Sequence, residues 1–299
     1  MALADPLLYE EVSETLVREQ VSLWRDGWRR LRRNKLALIA AVFLALLVVV
    51  SVVAFFWTPY DPNAVGLADD FAKPGNGHIF GADELGRDLL SRLMKGAQVS
   101  LGIGICSSLA VLAIGIVVGL AAGYFRGWVD AALSFVINAF YGVPPFLIAA
   151  VFYVLFHGGF FNVVFAVALT VWMDMARLVR GQTLAIRERE YIEAARGSGA
   201  RSMKILFGHI LPNSLGPVIV QATFVIPGAI IFEAFLSFLG LGIQPPAASW
   251  GSMLSEGVQA LSYAPHMTII PAVALSLTLL AFNFFGDGLR DAFDPRQKR

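Results

Sequence analysis

Residues 190–212 read EYIEAARGSGARSMKILFGHILP, a polar helical island between long apolar runs. Its first part is charged on both flanks, Gly197 and Gly199 interrupt it, and Ile210, Leu211 and Pro212 lead straight back into hydrophobic sequence. A chain that needed only to anchor itself in a membrane would have no use for such an insert. A short helix held rigidly between two spans suits the docking of a soluble partner, so the fold must be one that presents it.

The rest of the composition agrees. Of 299 residues, 57% are hydrophobic and 15% charged, whereas a soluble domain carries about 25% charged residues. Charges vanish for tens of residues and then cluster, which is the pattern of an all-α polytopic membrane protein. A net charge of +1 gives no basis for binding nucleic acid. The single cysteine, Cys106, lies in an apolar run and reads as a small packing residue. The first apolar run starts near Leu36 and lacks a small-residue cleavage site, so no cleavable signal peptide is expected.

Residues 1–35 are polar and end in Arg29, Arg30, Arg32, Arg33 and Lys35, with Leu16, Leu23, Trp24, Trp28 and Leu31 interleaved at roughly helical spacing. Two readings stand: an amphipathic helix on the membrane surface, or a charge cluster that only fixes orientation. A first span is expected over 36–57 and an extracytoplasmic loop over 58–96. The membrane unit proper covers 97–290, and a tail 291–299. The second span falls within 97–125, where Gly115, Gly119 and Gly123 recur at the spacing that permits close helix contact. Residues 131–173 contain no Lys, Arg, Asp or Glu. At about 1.5 Å per residue that is on the order of 65 Å, two crossings of a ~30 Å hydrocarbon core. The break between them is expected at 157–159, and a kink in the third span at Gly142-Val143-Pro144-Pro145. A fifth span follows over 214–239, a Gly/Pro-rich loop over 240–265 with room for a partly re-entrant course, and a sixth span over 267–285.

Sorting Lys and Arg by side gives the orientation. The N-terminal tail holds 7, the turn at Arg126 holds 1, residues 177–204 hold 7 and the C-terminal tail 4, which is 19 of the 23. The positive-inside rule then places both termini and the 190–212 segment in the cytoplasm, with six spans between.

Several polar groups are candidates for function. Asp83, Glu84, Arg87 and Asp88 form a compact acidic loop on the opposite side. They read either as a contact for a partner on that side or as a self-contained turn with Asp83 capping a helix. Glu233 lies in an apolar span, where a carboxylate is expensive. It either faces a pathway or a partner chain, or it caps irregular backbone after Leu239. Asp174, three residues before Arg177, reads as a local ion pair or a pathway residue, and Asp287 with Arg290 as a second pair. His78 has no partner at ligand spacing, so no metal site is expected. No phosphate-binding loop and no catalytic constellation occur, so the chain is not expected to be an enzyme.

EAARGSG at 193–199 followed by HILPN at 209–213 resembles the cytoplasmic EAA loop of permease subunits of binding-protein-dependent ABC importers. HIFGADELGRDLLSRLMKGAQVSL (78–101), ARLVRGQTL (176–184), EAFLSFLGLGIQPPAASWGSML (233–254) and FNFFGDGLRDAFDPR (282–296) are similar to the oligopeptide/dipeptide/nickel branch, and more narrowly to its C-type subunit. His209 stands where the general motif has Ile. The resemblance implies six transmembrane helices of the type I importer kind and a coupling helix seated on an ATP-hydrolysing subunit. Glu190, Tyr191, Glu193, Ala194, Ala195, Arg196 and Gly199 would form that contact. It further implies a homologous second permease, two ATPase subunits that carry ATP and Mg, and an extracytoplasmic solute-binding protein. Peptides are the implied substrate class. The competing reading is an ion- or proton-coupled secondary transporter in which Glu233 and Asp174 carry the coupling ions.

Overall fold

The computed structural model describes residues 23–75, 77–156 and 158–293. Leu16 of the expected amphipathic pattern, His157 and the tail from residue 294 lie outside the described residues. Among those residues the regular elements are helices, with isolated bridges at Gly75–His78 and Ala82–Asp88. In order they are α1 (Leu23–Leu31), α2 (Lys35–Phe56), α3 (Leu89–Phe125), α4 (Gly127–Tyr141), α5 (Pro145–Phe156), α6 (Phe160–Arg187), α7 (Glu190–Gly197) and α8 (Ser202–Ile205). A π-helical turn (Leu206–Ile210), α9 (Leu211–Phe238), α10 (Trp250–Gln259) and α11 (His266–Phe293) complete the chain.

Five helical stretches are long and apolar enough to cross a membrane: α2, α3, α6, the run from α8 through α9, and α11. The pair α4 and α5 makes a sixth, bent by 84°. The expected kink is therefore a break. Proline lacks a helix donor and pushes the preceding residue out of the helical region, and here two prolines stand in succession after Gly142. The next break follows α5, where Gly158 and Gly159 take φ of +76° and +101°.

Three expected boundaries shift, each for a local reason. Asp88, and not Asp83, caps α3, accepting from the Ser91 amide at 2.8 Å and its hydroxyl at 2.7 Å. Helix α3 thus begins at Leu89, so residues 89–96 belong to the span and not to the loop. The fifth span, expected from residue 214, starts earlier, in the run from Ser202. The proline ring would meet the Gly208 carbonyl in a regular turn, and just before it the backbone widens, with the Leu211 amide donating to Leu206 O. This joins α8 to α9. The loop expected over 240–265 is irregular only at first; α10 rises from a reciprocal cap in which Ser249 and Ser252 each bond the other's amide.

Glycine decides the tightest helix contact. A Cβ added at Gly115, Gly119 or Gly123 of α3 would lie 2.5–2.6 Å from Met175, from Ala176 O and Val179, or from Thr183 of α6. The expected small-residue stripe is the seam on which α6 lies. By contrast, α2 buries Ala37, Ala40, Leu44, Ser51 and Ala54 along one side and leaves Ile39, Val42, Leu46 and Phe55 exposed, as a span facing lipid requires. The alternating helices sort the connections onto two faces. Residues 57–88, α10 and the α5–α6 turn lie on one; α1, the turn at Arg126, α7 and the end of α11 lie on the other. On the latter face Gly27 of α1 packs against Phe293 and Ala292.

Candidate functional site

Helix α7 carries a single fully buried residue. Ile192 inserts beneath the ends of the bundle among Leu120, Tyr124, Ile186, Ile205 and Ile210, and this anchor escaped the sequence reading. It was legible as the lone large aliphatic among Glu190, Glu193 and Arg196. Glu190 and Glu193 occupy the first turn, where the helix dipole favours negative charge. The far end closes in a Schellman arrangement: the Ala200 amide donates to Ala195 O at 3.0 Å and the Gly199 amide to Arg196 O at 2.9 Å. Gly199 needs φ +80° to do this, and Ala195 and Ala200 pack on the same core. The chain therefore reverses sharply after one short helix.

Around that anchor the polar side chains point outward. Glu190, Tyr191, Glu193, Ala194 and Arg196 are exposed and Ala195 is half-buried. The spacing of Arg189, Glu193 and Arg196 would allow ion pairs within the helix, but none forms among the three. Arg196 instead lies over the Tyr124 ring at 5.5 Å, beside Arg187, which donates to Tyr124 O at 2.7 Å. Tyr191 and His209 stand 6.4 Å apart, ring to ring. The result is a rigid knob whose carboxylates have no partner among the described residues.

The opposite face behaves differently. Asp83, Arg87 and Asp88 are buried, and of the four candidate contact residues Glu84 alone is exposed. Asp83 accepts from the Leu85 and Arg87 amides at 2.9 and 3.0 Å and from Arg87 Nε at 2.6 Å. Arg92, 1% exposed, donates through Nη2 to both oxygens of Glu256 at 3.2 and 2.9 Å, with its Nε 3.2 Å from Asp83. Arg87 reaches Glu256 as well, at 3.4 Å. Two arginines and two acids thus neutralise one another across the loop, α3 and α10. Burial pushes the Glu256 carboxyl above the usual carboxylate range, against the pull of Arg92 and Arg87. His78 closes onto Asp88 at 2.8 Å, and no cluster of potential metal ligands occurs among the described residues.

Glu233 is fully enclosed by its own chain. With no exposed surface it faces neither an open pathway nor a partner chain in this structure. It accepts from Ser249 Oγ at 2.6 Å, Ser237 Oγ at 2.7 Å and Ser100 Oγ at 3.5 Å. Ser100 in turn accepts from the Trp250 amide at 3.1 Å, and Ser249 from the Ser252 amide at 3.0 Å. Through two hydroxyls the carboxylate faces the amide end of α10, which the helix dipole makes positive. Gly251 then presses against Ala234, where a Cβ would come within 2.5 Å of Cα. Glu233 docks α10 onto the bundle.

Two expected ion pairs are replaced. Asp174 accepts from the Tyr141 hydroxyl, and Arg177 bonds Asn138. Asp287 and Arg290 are exposed and form no pair with each other. A pair the sequence reading overlooked joins α4 to α6, with Arg180 bonding Asp130 at 2.6 and 2.7 Å.

Comparison with known proteins agrees with this architecture. Residues 115–299 match the family described as "Binding-protein-dependent transport system inner membrane component", and residues 22–74 match the "N-terminal TM domain of oligopeptide transport permease C". The chain is 37% identical to the oligopeptide transport system permease protein OppC of Bacillus subtilis, over 96% of this chain and 94% of that one. It is 41% identical to the dipeptide transport system permease protein DppC of the same organism, over 96% and 90%. With the glutathione transport system permease protein GsiD of Pectobacterium atrosepticum it shares 43% identity over 92% of each. Among solved structures, an inward-facing conformation of the MetNI methionine ABC transporter superposes with a TM-score of 0.54 at 20% identity. That match covers 67% of this chain and 95% of the other, and speaks to the fold alone.

Proposed function

The chain belongs to the inner-membrane components of binding-protein-dependent transport systems, and on that premise we propose that it is the C-type permease subunit of an ATP-driven peptide importer. It forms half of the translocation pathway beside a homologous permease. A solute-binding protein delivers substrate from outside, and two ATPase subunits that hold ATP and Mg sit on the cytoplasmic side. The charge asymmetry of the loops supports both termini and α7 being cytoplasmic. The names of the relatives favour short peptides as cargo.

One observation carries the coupling role: α7 is locked to the bundle through Ile192 and Gly199 yet leaves Glu190, Tyr191 and Glu193 uncommitted. A helix fixed at both ends transmits a push from a bound partner to α6 and α9 instead of absorbing it. ATP binding closes the ATPase pair, α7 moves with it, and the spans rock between inward- and outward-open states about the breaks at 142–145 and the π-helical turn.

The test is affinity purification of the tagged chain from its native membrane, followed by ATPase assay of what accompanies it, with and without Glu193→Arg. Recovery of two ATPase subunits and a second permease is expected, with recovery or substrate-stimulated ATPase lowered about tenfold or more by the charge reversal. A chain that purifies alone and moves solute down an ion gradient would overturn the proposal in favour of a secondary transporter.

A further inference from the structure

Midway along the α4–α6 contact lies a polar cluster that the importer reading does not use. Asp174 sits near the centre of the 28-residue α6, about 20 Å from either end. The Tyr141 hydroxyl donates to its carboxylate. One turn on, the Arg177 guanidinium donates to Asn138 Oδ1 at 2.8 Å and stacks over the Tyr141 ring at 4.1 Å. All four residues are exposed at the surface of this chain.

Elsewhere along the same pair of helices charges satisfy each other. Arg180 grips Asp130, and Arg126 lies 3.0 Å from Glu188. Asp174 and Arg177 are one turn apart and do not pair. Each is oriented by a neutral group, Tyr141 for the acid and Asn138 for the base, so each keeps its charge for something outside the chain. On a helix long enough and apolar enough to cross the membrane, charges turned outward are excluded from hydrocarbon and border water or other protein. Tyr141 is also the last residue before the 84° elbow between α4 and α5, and irregular backbone at membrane depth likewise belongs beside a cavity.

Resting on the importer reading, the geometry points to a substrate-contact station on the translocation pathway. Arg177 takes the carboxylate of a short peptide, Asp174 takes its ammonium, and Tyr141 and Asn138 hold the two charges apart. A solute that was only anionic would meet Asp174 unfavourably, and one that was only cationic would meet Arg177 so. A zwitterion with separated ends satisfies both.

The experiment uses the assembled complex in liposomes with its binding protein and ATP, and tripeptide uptake by the parent complex is measured first. In a Cys106→Ala background, Asn138→Cys is expected to react with a charged, membrane-impermeant thiosulfonate, and transported tripeptide is expected to slow that reaction. Arg177→Gln and Asp174→Asn are each expected to lower uptake about tenfold, the loss of one charged hydrogen bond. Recovery of the assembled complex and its melting temperature should be unchanged, as for other exposed substitutions. A thiol that never reacts would place the cluster against lipid or the second permease, and variant uptake equal to the parent would remove its role; either result overturns the station. No ATP-dependent uptake by the parent would instead overturn the importer reading, and the station with it.

Discussion

The two faces of this bundle treat charge in opposite ways. On the face built from residues 57–88 and α10, Asp83, Arg87, Arg92 and Glu256 are drawn inside and neutralise each other. On the face that carries α7, Glu190, Glu193 and Arg196 are exposed without an ion pair among the described residues, and the fold is held by Ile192 with Ala195 and Ala200 packed beside it. Buried charges must find partners within the chain or the chain does not fold. Exposed charges on a rigid mount are free to meet another molecule. The comparison teaches that Asp83, Arg87 and Asp88 of the acidic loop are held inside the fold, whereas Glu84 and the carboxylates of the EAA segment lie at the surface.

The largest effect should come from breaking the buried side. Arg92→Met leaves Glu256 and Asp83 enclosed with one cation between them, and about 3–5 kcal/mol of stability should be lost. The reading is the melting temperature of the purified complex, or the yield of folded chain if little survives. Combining it with Glu256→Met restores neutrality, because Asp83 and Arg87 remain as a pair, and should recover most of the loss. A double variant no better than the single would contradict the neutral-cluster account.

Next in size is Glu233→Leu, which strips the acceptor from Ser249, Ser237 and Ser100 and should cost about 2–3 kcal/mol. Glu233→Gln keeps an acceptor there and should cost less. Transport lost at unchanged melting temperature would instead indicate an ion-coupling carboxylate. Gly119→Ala tests the helix seam, since a Cβ meets Ala176 O and Val179 at 2.6 Å. Overpacking of this kind costs about 1–3 kcal/mol, read by thermal unfolding. Gly197→Ala, where the added atom meets nothing within 4 Å, is the matched control.

The smallest effect on stability sharpens the comparison most. Glu193→Arg on α7 should leave the melting temperature of the chain unchanged, since nothing among the described residues bonds that carboxylate. Its consequence should appear only in the recovery and stimulation of the ATPase. A variant that unfolds the chain would mean α7 is as structural as the acidic loop.

Much of this molecule is decided by short-range sequence. Hydropathy runs set the spans, Asp88 and Asn34, whose Oδ1 accepts from the Ala37 amide at 3.1 Å, set helix starts from the residue itself, and the glycines at 142, 158 and 159 with the prolines at 144 and 145 set the breaks. Gly115, Gly119 and Gly123 announce a close helix contact, and Gly199 announces the reversal after the EAA segment. These signals act within about one or two helical turns, so one stretch of chain contains all of them. What tertiary structure alone decided is which distant groups meet. Arg92 and Glu256 are 164 residues apart, and Ser100 and Glu233 are 133 apart. Local reading therefore assigned Asp83 to a cap and Glu233 to a pathway or a nearby loop. It paired Asp174 with Arg177, where the fold supplies Tyr141 and Asn138 from another helix. A charge in an apolar setting takes whatever partner the packing brings within about 3 Å, and that choice belongs to the topology of the whole bundle.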